Sequence, residues 1–377
     1  MRFLENFART LVVLACIDLA GGVVYFGYHS YWRLYDSAVL VVLLVLGGLL
    51  SGVVACILHE LGHILFGCAN GFKFNSVHIG FVKLYRIDGR LRLTVRELPE
   101  GLAGAAEMIP KRSDGLYARY LRMVFGGLFF SFLFLAGAVT AAVLYFYVRM
   151  PFAVYALCCA ALPYAFYYFF NNLIPRAAIG TDTDGGVLFG LLKKDAYCMS
   201  AVNILAIEGY LYQGYAPGEI EPDLYFGAPQ LPEDDVNFLI LLDYRLMYHI
   251  DRGEVDKALA VSDRLAGLLE YVPKIYLNQI SADILFCECS MKEDKTEARR
   301  LYGELKGYLR AEKTLQTYRI TAAYELYVNG DRMAALRALN AAEQKAEQCE
   351  IRGLHKYENR LIDCIRYGII PEGYPTF

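Results

Sequence analysis

Long apolar segments fill most of the first half of the chain, and short polar stretches separate them. A helix needs about 20 apolar residues to cross a bilayer. Four segments meet this length, at approximately residues 10–28, 38–66, 123–148 and 151–170. Arg149 and Met150 alone separate the last two, which predicts a tight antiparallel pair, and we expect Pro163 to kink the fourth segment. The pattern predicts a mainly α protein with a polytopic transmembrane helical core.

In the loop between the second and third spans, the spacing of apolar residues changes from that of a helix to that of a β-strand. In Arg90–Val95 polar and apolar side chains alternate, and Asp88-Gly89 offers the positive φ angles of a type I′ turn. We therefore expect a small β-hairpin or sheet insertion, with a β-rich cytosolic loop over residues 72–98. Two roles stay open for it. It covers the loop's own apolar residues, or it exposes an edge to which an extended substrate adds as a strand.

The second half of the chain is more polar. Residues 201–235 read as a membrane-surface helix and a linker rich in proline and acidic residues, and residues 236–377 as a soluble α-helical domain. Three similar stretches, 253–258, 293–298 and 330–335, are offset by 40 and 37 residues. Such spacing is typical of helix-hairpin repeats of the tetratricopeptide kind, with a non-repeating helical bundle as the alternative. Residues 1–200 then form the transmembrane domain.

Composition and charge support a membrane location. Of the 377 residues, 56% are hydrophobic and 20% are charged, which is less charge than a soluble protein of this length carries. The net charge of −3 gives no support for nucleic-acid binding, and the ten cysteines are scattered, as in a reducing compartment. Nine Lys and Arg lie between residues 69 and 120, whereas the two opposite loops hold Arg33 and Arg149. The positive-inside rule therefore predicts a multi-pass protein with its C-terminal domain in the cytosol, and the composition is compatible with a bacterial inner membrane.

One short motif indicates metal binding and acid–base chemistry by itself. His59-Glu60-Leu61-Gly62-His63 follows 21 uncharged, mostly apolar residues. Two histidines four apart lie on one helical face and can bind one zinc ion, while Glu60 between them can take a proton from a metal-bound water. The 21 residues before His59 are about 31 Å long at about 1.5 Å per residue, which places the histidines near the cytosolic boundary. A partner ligand is expected at the cytosolic end of another span.

A catalytic zinc site needs a third protein ligand. The best candidate segment follows the fourth span and contains Asn172-Leu173-Ile174-Pro175 and then Asp184-Gly185-Gly186. With the His-Glu-x-x-His motif, these residues resemble the site-2 protease family of membrane-embedded zinc metalloproteases. The Gly126-Gly127 pair in the third span is similar to the small-residue stretch of that family's middle core helix. The resemblance covers approximately residues 38 to 195.

The resemblance implies one zinc ion per chain, held by His59, His63 and Asp184. Asp182 is the alternative third ligand, because the family's usual spacing from the proline is shorter than the nine residues from Pro175 to Asp184. The glycines after Asp184 favour that residue. The resemblance further implies that Glu60 acts as the general base and that Asn172 stabilises the developing oxyanion, unless Asn172 merely caps the helix end.

The resulting hypothesis is a zinc-dependent, membrane-embedded endopeptidase. Its expected partners are the lipid bilayer, membrane-anchored proteins or membrane-inserted peptides as substrates, and a protein bound by the C-terminal repeats. Two alternatives remain open. The chain is a non-catalytic receptor or scaffold whose repeats bind a partner, or a protease that trims soluble peptides through a water-filled vestibule.

Overall fold

The computed structural model describes residues 2–87, 90–95, 103–175, 183–345 and 351–367. The chain divides into two compact units. The first comprises Met1–Ile109 and Tyr117–Lys194, and the second Pro110–Leu116 and Asp195–Phe377. The described residues are mainly helical and include one small antiparallel sheet, which confirms the predicted fold class at this level.

Four long apolar helices dominate the first unit. They are α1 (Arg2–Tyr31), α2 (Ser37–Ala69), α3 (Leu116–Tyr145) and a fourth built from α4 (Phe152–Val154), a π-helical turn (Tyr155–Cys159) and α5 (Leu162–Leu173). Asp36 begins α2 as its N-cap, because its Oδ1 accepts a hydrogen bond of 2.9 Å from the backbone of Ala38. All four are long and apolar enough to cross a membrane, as the hydropathy pattern predicted.

Glycines bring α2 close to its neighbours. Valines and leucines on the outer side of α2, such as Val42 and Leu46, are exposed, whereas Gly47 and Gly62 are buried. A β-carbon on Gly47 would overlap the Ala156 carbonyl of the π-helical turn, and one on Gly62 would overlap the Gly126 carbonyl of α3. Small residues at helix contacts with larger apolar residues facing outward are the arrangement expected in lipid.

The sheet lies between α2 and α3 in the sequence. It consists of β1 (Phe72–Ile79), β2 (Val82–Ile87), β3 (Arg90–Val95) and β4 (Gly104–Pro110), in the order β3-β2-β1-β4. Val82 pairs with Val95 and Ile87 with Arg90, which is the register of the predicted hairpin. The turn at Asp88-Gly89 lies outside the described residues. β1 lies within the β-rich segment predicted for residues 72–98, whereas the sequence pattern missed β4, which forms the edge opposite β3.

The second unit contains three successive helical hairpins. They are α9 (Val236–Asp251) with α10 (Val255–Ala266), α11 (Lys274–Ser290) with α12 (Thr296–Ala311), and α13 (Leu315–Tyr327) with α14 (Arg332–Glu343). Before them come α7 (Ala196–Gln213) and α8 (Pro222–Phe226), and after them α15 (Arg352–Tyr367). Each of the three similar stretches lies at the turn inside a hairpin, where Gly253 and Gly330 adopt positive φ angles. Membership of the tetratricopeptide class stays a prediction.

Candidate metal centre

Three donor atoms converge in the first unit. His59 Nε2 lies 3.0 Å from Asp184 Oδ2, and His63 Nε2 lies 3.1 Å from the same oxygen. The two histidine nitrogens are 3.3 Å apart. These atoms form a nearly equilateral triangle, although Asp184 is 121 residues further along the chain than His63.

The two histidines come from successive turns of α2, and Asp184 begins α6 (Asp184–Lys193). The Thr183 hydroxyl fixes the start of α6, because it donates to the Ile174 carbonyl at 2.9 Å and accepts from Gly186 N at 3.3 Å. A β-carbon on Gly185 would overlap the carbonyl of Leu173 at the end of α5. Glycine therefore lets α6 begin directly against α5, which brings Asp184 to the histidines.

The second nitrogen of each imidazole is engaged by α3. His63 Nδ1 lies 3.1 Å from the Met123 carbonyl, and His59 Nδ1 lies 2.9 Å from Ser131 Oγ. A carbonyl can only accept, so His63 Nδ1 carries a proton and, in the neutral ring, Nε2 presents a lone pair. Such outer contacts orient the histidine ligands of metal sites.

Asp184 is partly buried, and its Oδ2 is fully buried and, apart from the two histidine nitrogens, has no hydrogen-bond partner among the described residues. Burial raises the pKa of this carboxyl, but His63 and His59 lower it by more, so the pKa of Asp184 lies below its ordinary value. The carboxylate is therefore ionised at neutral pH. Metal ligation requires both imidazoles to be neutral; their two lone pairs and the carboxylate oxygen would then face one point, where a bound cation removes their repulsion.

The donor set fits zinc. Two imidazole nitrogens and one carboxylate oxygen form a known ligand set of catalytic zinc sites. A tetrahedral zinc ion with bonds of about 2.0–2.1 Å holds its ligand atoms about 3.3 Å apart. The triangle described above has sides of 3.0–3.3 Å. Its small size and its nitrogen content favour zinc over calcium, which takes six or more oxygen ligands.

Glu60 lies beside this triangle and faces β4. It is 4% exposed, and a β-carbon on Gly104 would come within 2.5 Å of its Oε1. The backbone of Ala106 forms a hydrogen bond with the carboxylate. Glu60 and the three donor residues line one cavity of about 400 Å³, whose wall also includes residues 103–106. Glu60, the three donor residues and an edge strand therefore share one cavity.

Asn172 lines the same cavity, as does Asn171. The Asn172 side-chain amide donates to the Tyr168 carbonyl one turn earlier, at 3.0 Å, which leaves its Oδ1 for other contacts. Asn171 Oδ1 accepts from Arg9 of α1 at 3.1 Å, and Arg9 also donates to the Ile174 carbonyl at 3.2 Å. α1 therefore holds the end of α5. The alternative ligand Asp182 lies outside the described residues.

Tyr168 is a site residue that the sequence pattern missed, because the aromatic run of α5 reads as an interfacial belt. Its ring centroid lies 5.4 Å from that of His59 in an edge-to-face arrangement. Its hydroxyl hydrogen-bonds Cys56, and Cys56 Sγ donates to the Ala103 carbonyl at 3.4 Å. The helical spacing of Tyr168 and Asn172, four residues apart, was the signal that could have identified it.

Zinc content distinguishes the ligands. We expect the purified chain to hold about one zinc ion, and Asp184→Ala to lose it because two histidines alone do not complete the site. Asp182→Ala and Glu60→Gln should keep their zinc. The measurement is elemental analysis of the detergent-purified protein. Zinc retained in Asp184→Ala but lost from Asp182→Ala would make Asp182 the ligand.

Substitution of Gly127 should weaken zinc binding, although Gly127 is not itself a ligand. A β-carbon there would overlap the His63 imidazole, so Gly127→Ala must displace the ring. We expect its zinc affinity to fall about tenfold or more in a chelator competition. Gly137→Ala on the same helix is the matched control, because nothing lies within 4 Å of its added β-carbon. Equal affinity in both variants would contradict the observed packing.

Comparisons of the chain with protein-family models, with curated proteins and with solved structures give no match. The family relationship therefore stays a resemblance carried by the motifs of α2 and of the segment around Asp184.

Proposed function

We propose that this chain is a zinc-dependent endopeptidase of the membrane, which hydrolyses peptide bonds of membrane-anchored proteins or membrane-inserted peptides. The observation that carries the proposal is the triangle of His59, His63 and Asp184 donor atoms beside the Glu60 carboxylate. Among the described residues, no fourth His, Cys, Asp or Glu joins the group. Three protein ligands are typical of catalytic zinc, whereas structural zinc has four.

A zinc ion in this site would supply Lewis-acid polarisation of the scissile carbonyl and would lower the pKa of water toward neutrality. Glu60 would then accept a proton on its carboxylate from the attacking water and pass it to the leaving amine nitrogen. Its contacts with Gly104 and Ala106 restrict its rotamers, so the carboxylate is held ready for this transfer. The second N–H of the Asn172 amide would donate to the developing oxyanion, and the Tyr168 hydroxyl would do so on turning from Cys56.

Strand β4 supports an extended mode of substrate binding. It is an edge strand, and residues 103–106 line the cavity next to Glu60. A peptide that adds to β4 as a further strand would satisfy its own backbone groups there. This matters for a substrate that leaves a helical conformation in lipid, where unpaired backbone groups cost several kcal/mol each. The edge next to the site is therefore β4, not the β2–β3 hairpin.

The four apolar helices support a multi-pass arrangement in a membrane, which we propose to be a bacterial inner membrane. The surplus of Lys and Arg between residues 69 and 120 favours the cytosolic side for the sheet, the metal centre and the C-terminal unit. Cleavage would then occur near the cytosolic face of the bilayer. The substrates reach the site from the membrane or from the cytosolic boundary.

Glu60→Gln tests the proposal. Substrates are first identified as membrane proteins that accumulate uncut in cells carrying this variant. With one such protein in proteoliposomes, we expect cleavage to fall by about 10²–10⁴-fold, because the general base is lost while the ligands remain. Unchanged zinc content separates this effect from loss of the metal. Equal processing by wild type and Glu60→Gln would exclude the protease function.

Tyr168→Phe tests the role of the phenol. Removing the hydroxyl keeps the ring against His59, so we expect kcat to fall by about ten- to a hundredfold with little change in KM or zinc content. Tyr164→Phe is the control, because Tyr164 lies one turn earlier on α5 and packs against Gly48 and Gly52 of α2. If both variants cleave at the wild-type rate, Tyr168 only packs against the site.

A further inference from the structure

A second cavity lies at the end of the spans that is opposite the metal centre. Its volume is about 930 Å³, and its wall comes from the ends of α1 and α3, the start of the fourth span and the residues that connect these elements. Leu34 of this wall precedes Ser37, the first residue of α2, whereas His59 lies 22 residues after Ser37. At about 1.5 Å per residue, the metal centre is therefore about 33 Å further along α2.

The charged residues of this cavity are both basic. Arg33 and Arg149 line it, and no aspartate or glutamate does among the described residues. Neither arginine forms an ion pair with a residue that the structure describes. Asp36, the acidic residue nearest to Arg33 in the sequence, caps α2 through the backbone of Ala38. The cavity therefore presents two positive charges for which the described part of the chain supplies no counter-charge.

Hydrogen bonds hold the segments that carry the two arginines. The Tyr31 hydroxyl, at the end of α1, donates to the Met150 carbonyl at 2.6 Å, and Met150 directly follows Arg149. The Tyr145 hydroxyl, at the end of α3, hydrogen-bonds with the Ser30 hydroxyl. The connection between the third and fourth spans is therefore fixed against the end of α1, and both arginines are attached to one supported frame.

The remaining wall of the cavity is mainly apolar and aromatic. Phe146 is 65% exposed and Tyr147 is 82% exposed, and both lie just after α3. Aromatic side chains are enriched where a span meets the lipid headgroups. A small hydrated anion gains nothing from exposed apolar side chains, whereas a lipid would cover them with its acyl chains. The wall therefore fits an amphipathic ligand better than a free ion.

We propose that this cavity binds an anionic phospholipid of the membrane leaflet opposite the metal centre, with Arg33 and Arg149 as the counter-charges of its phosphate. Guanidinium groups pair with phosphate oxygens through two parallel N–H donors, which makes arginine well suited to such a site. A zwitterionic lipid such as phosphatidylcholine also carries a cationic group, and the described wall has no carboxylate to receive it. The charges therefore favour an anionic lipid such as phosphatidylglycerol. This inference depends on neither zinc nor peptidase activity.

The single tryptophan of the chain provides a local probe. The guanidinium carbon of Arg33 lies 5.1 Å from the centroid of the Trp32 ring, and Arg33 lines the cavity. The full chain is reconstituted in phosphatidylcholine bilayers with increasing fractions of phosphatidylglycerol whose acyl chains are brominated, because bromine quenches tryptophan fluorescence on contact. We expect half-maximal quenching at a fraction about tenfold lower than with brominated phosphatidylcholine, since the anionic lipid keeps its charge-assisted contacts uncompensated by a cation.

Arg149→Gln is the decisive variant, because it removes one charge of the cavity and leaves the contact between Arg33 and Trp32 in place. We expect it to lose most of the preference for phosphatidylglycerol. Arg149→Lys should keep part of the preference, since lysine retains the charge without the paired donors. Arg337→Gln, at an exposed position of α14 in the second unit, is the matched control for net charge and should behave as wild type does.

Inorganic phosphate distinguishes a lipid site from a site for a free anion. Excess sodium phosphate, added at constant ionic strength, should leave the quenching by phosphatidylglycerol unchanged, because a free ion does not cover the apolar wall. Displacement of the lipid by phosphate would overturn the proposal in favour of a free anion. Equal quenching of wild type by the two brominated lipids, a result that requires no variant to fold, would overturn it as well. So would an undiminished preference for phosphatidylglycerol in folded Arg149→Gln.

Discussion

The close approach of α2 and α3 is the constraint on which the candidate site depends. Gly62 faces Gly126 and Gly127, and the missing β-carbons let the two backbones meet. At this separation the α2 histidines reach the Met123 carbonyl and the Ser131 hydroxyl of α3. In lipid, an apolar side chain gains little free energy when it exchanges contacts with lipid for contacts with another helix. Close contact between small residues therefore decides which helices pack together. The direction of the Nε2 lone pairs follows from this contact.

Much of this arrangement could be predicted from sequence because its signals are local. Four apolar stretches, the alternation in Arg90–Val95 and the helical spacing of His59 and His63 each depend on neighbours a few residues away. Asp184 is a different case. Asp184 reaches the histidines because Gly185 lies against the Leu173 carbonyl. The number of residues between Pro175 and Asp184 does not predict this contact, so Asp182 remained an alternative ligand.

The elements that the sequence did not reveal are those defined by distant partners. β4 has the composition Gly-Ala-Ala-Glu-Met-Ile-Pro, which carries little β propensity, and it forms because it pairs with β1. Tyr168 belongs to an aromatic run in which every ring is equivalent until the neighbours of α5 are known. The amphipathic pattern of α15 predicts that one of its faces is buried. It does not predict that Glu358 on that face pairs with Arg319, which lies 39 residues away in the sequence. Short-range periodicity cannot identify such partners.

Both units hold acidic side chains that are largely removed from water and therefore need a counter-charge. In the second, the buried acids Asp283 and Glu358 obtain their counter-charge from Arg319, which is part of the chain. In the first, the described residues lining the cavity around Asp184 include no lysine or arginine. A guanidinium there would neutralise the carboxylate but would also occupy the space next to Glu60. The proposed zinc ion, held by three ligands, would neutralise the carboxylate and would leave one coordination position open for water and substrate.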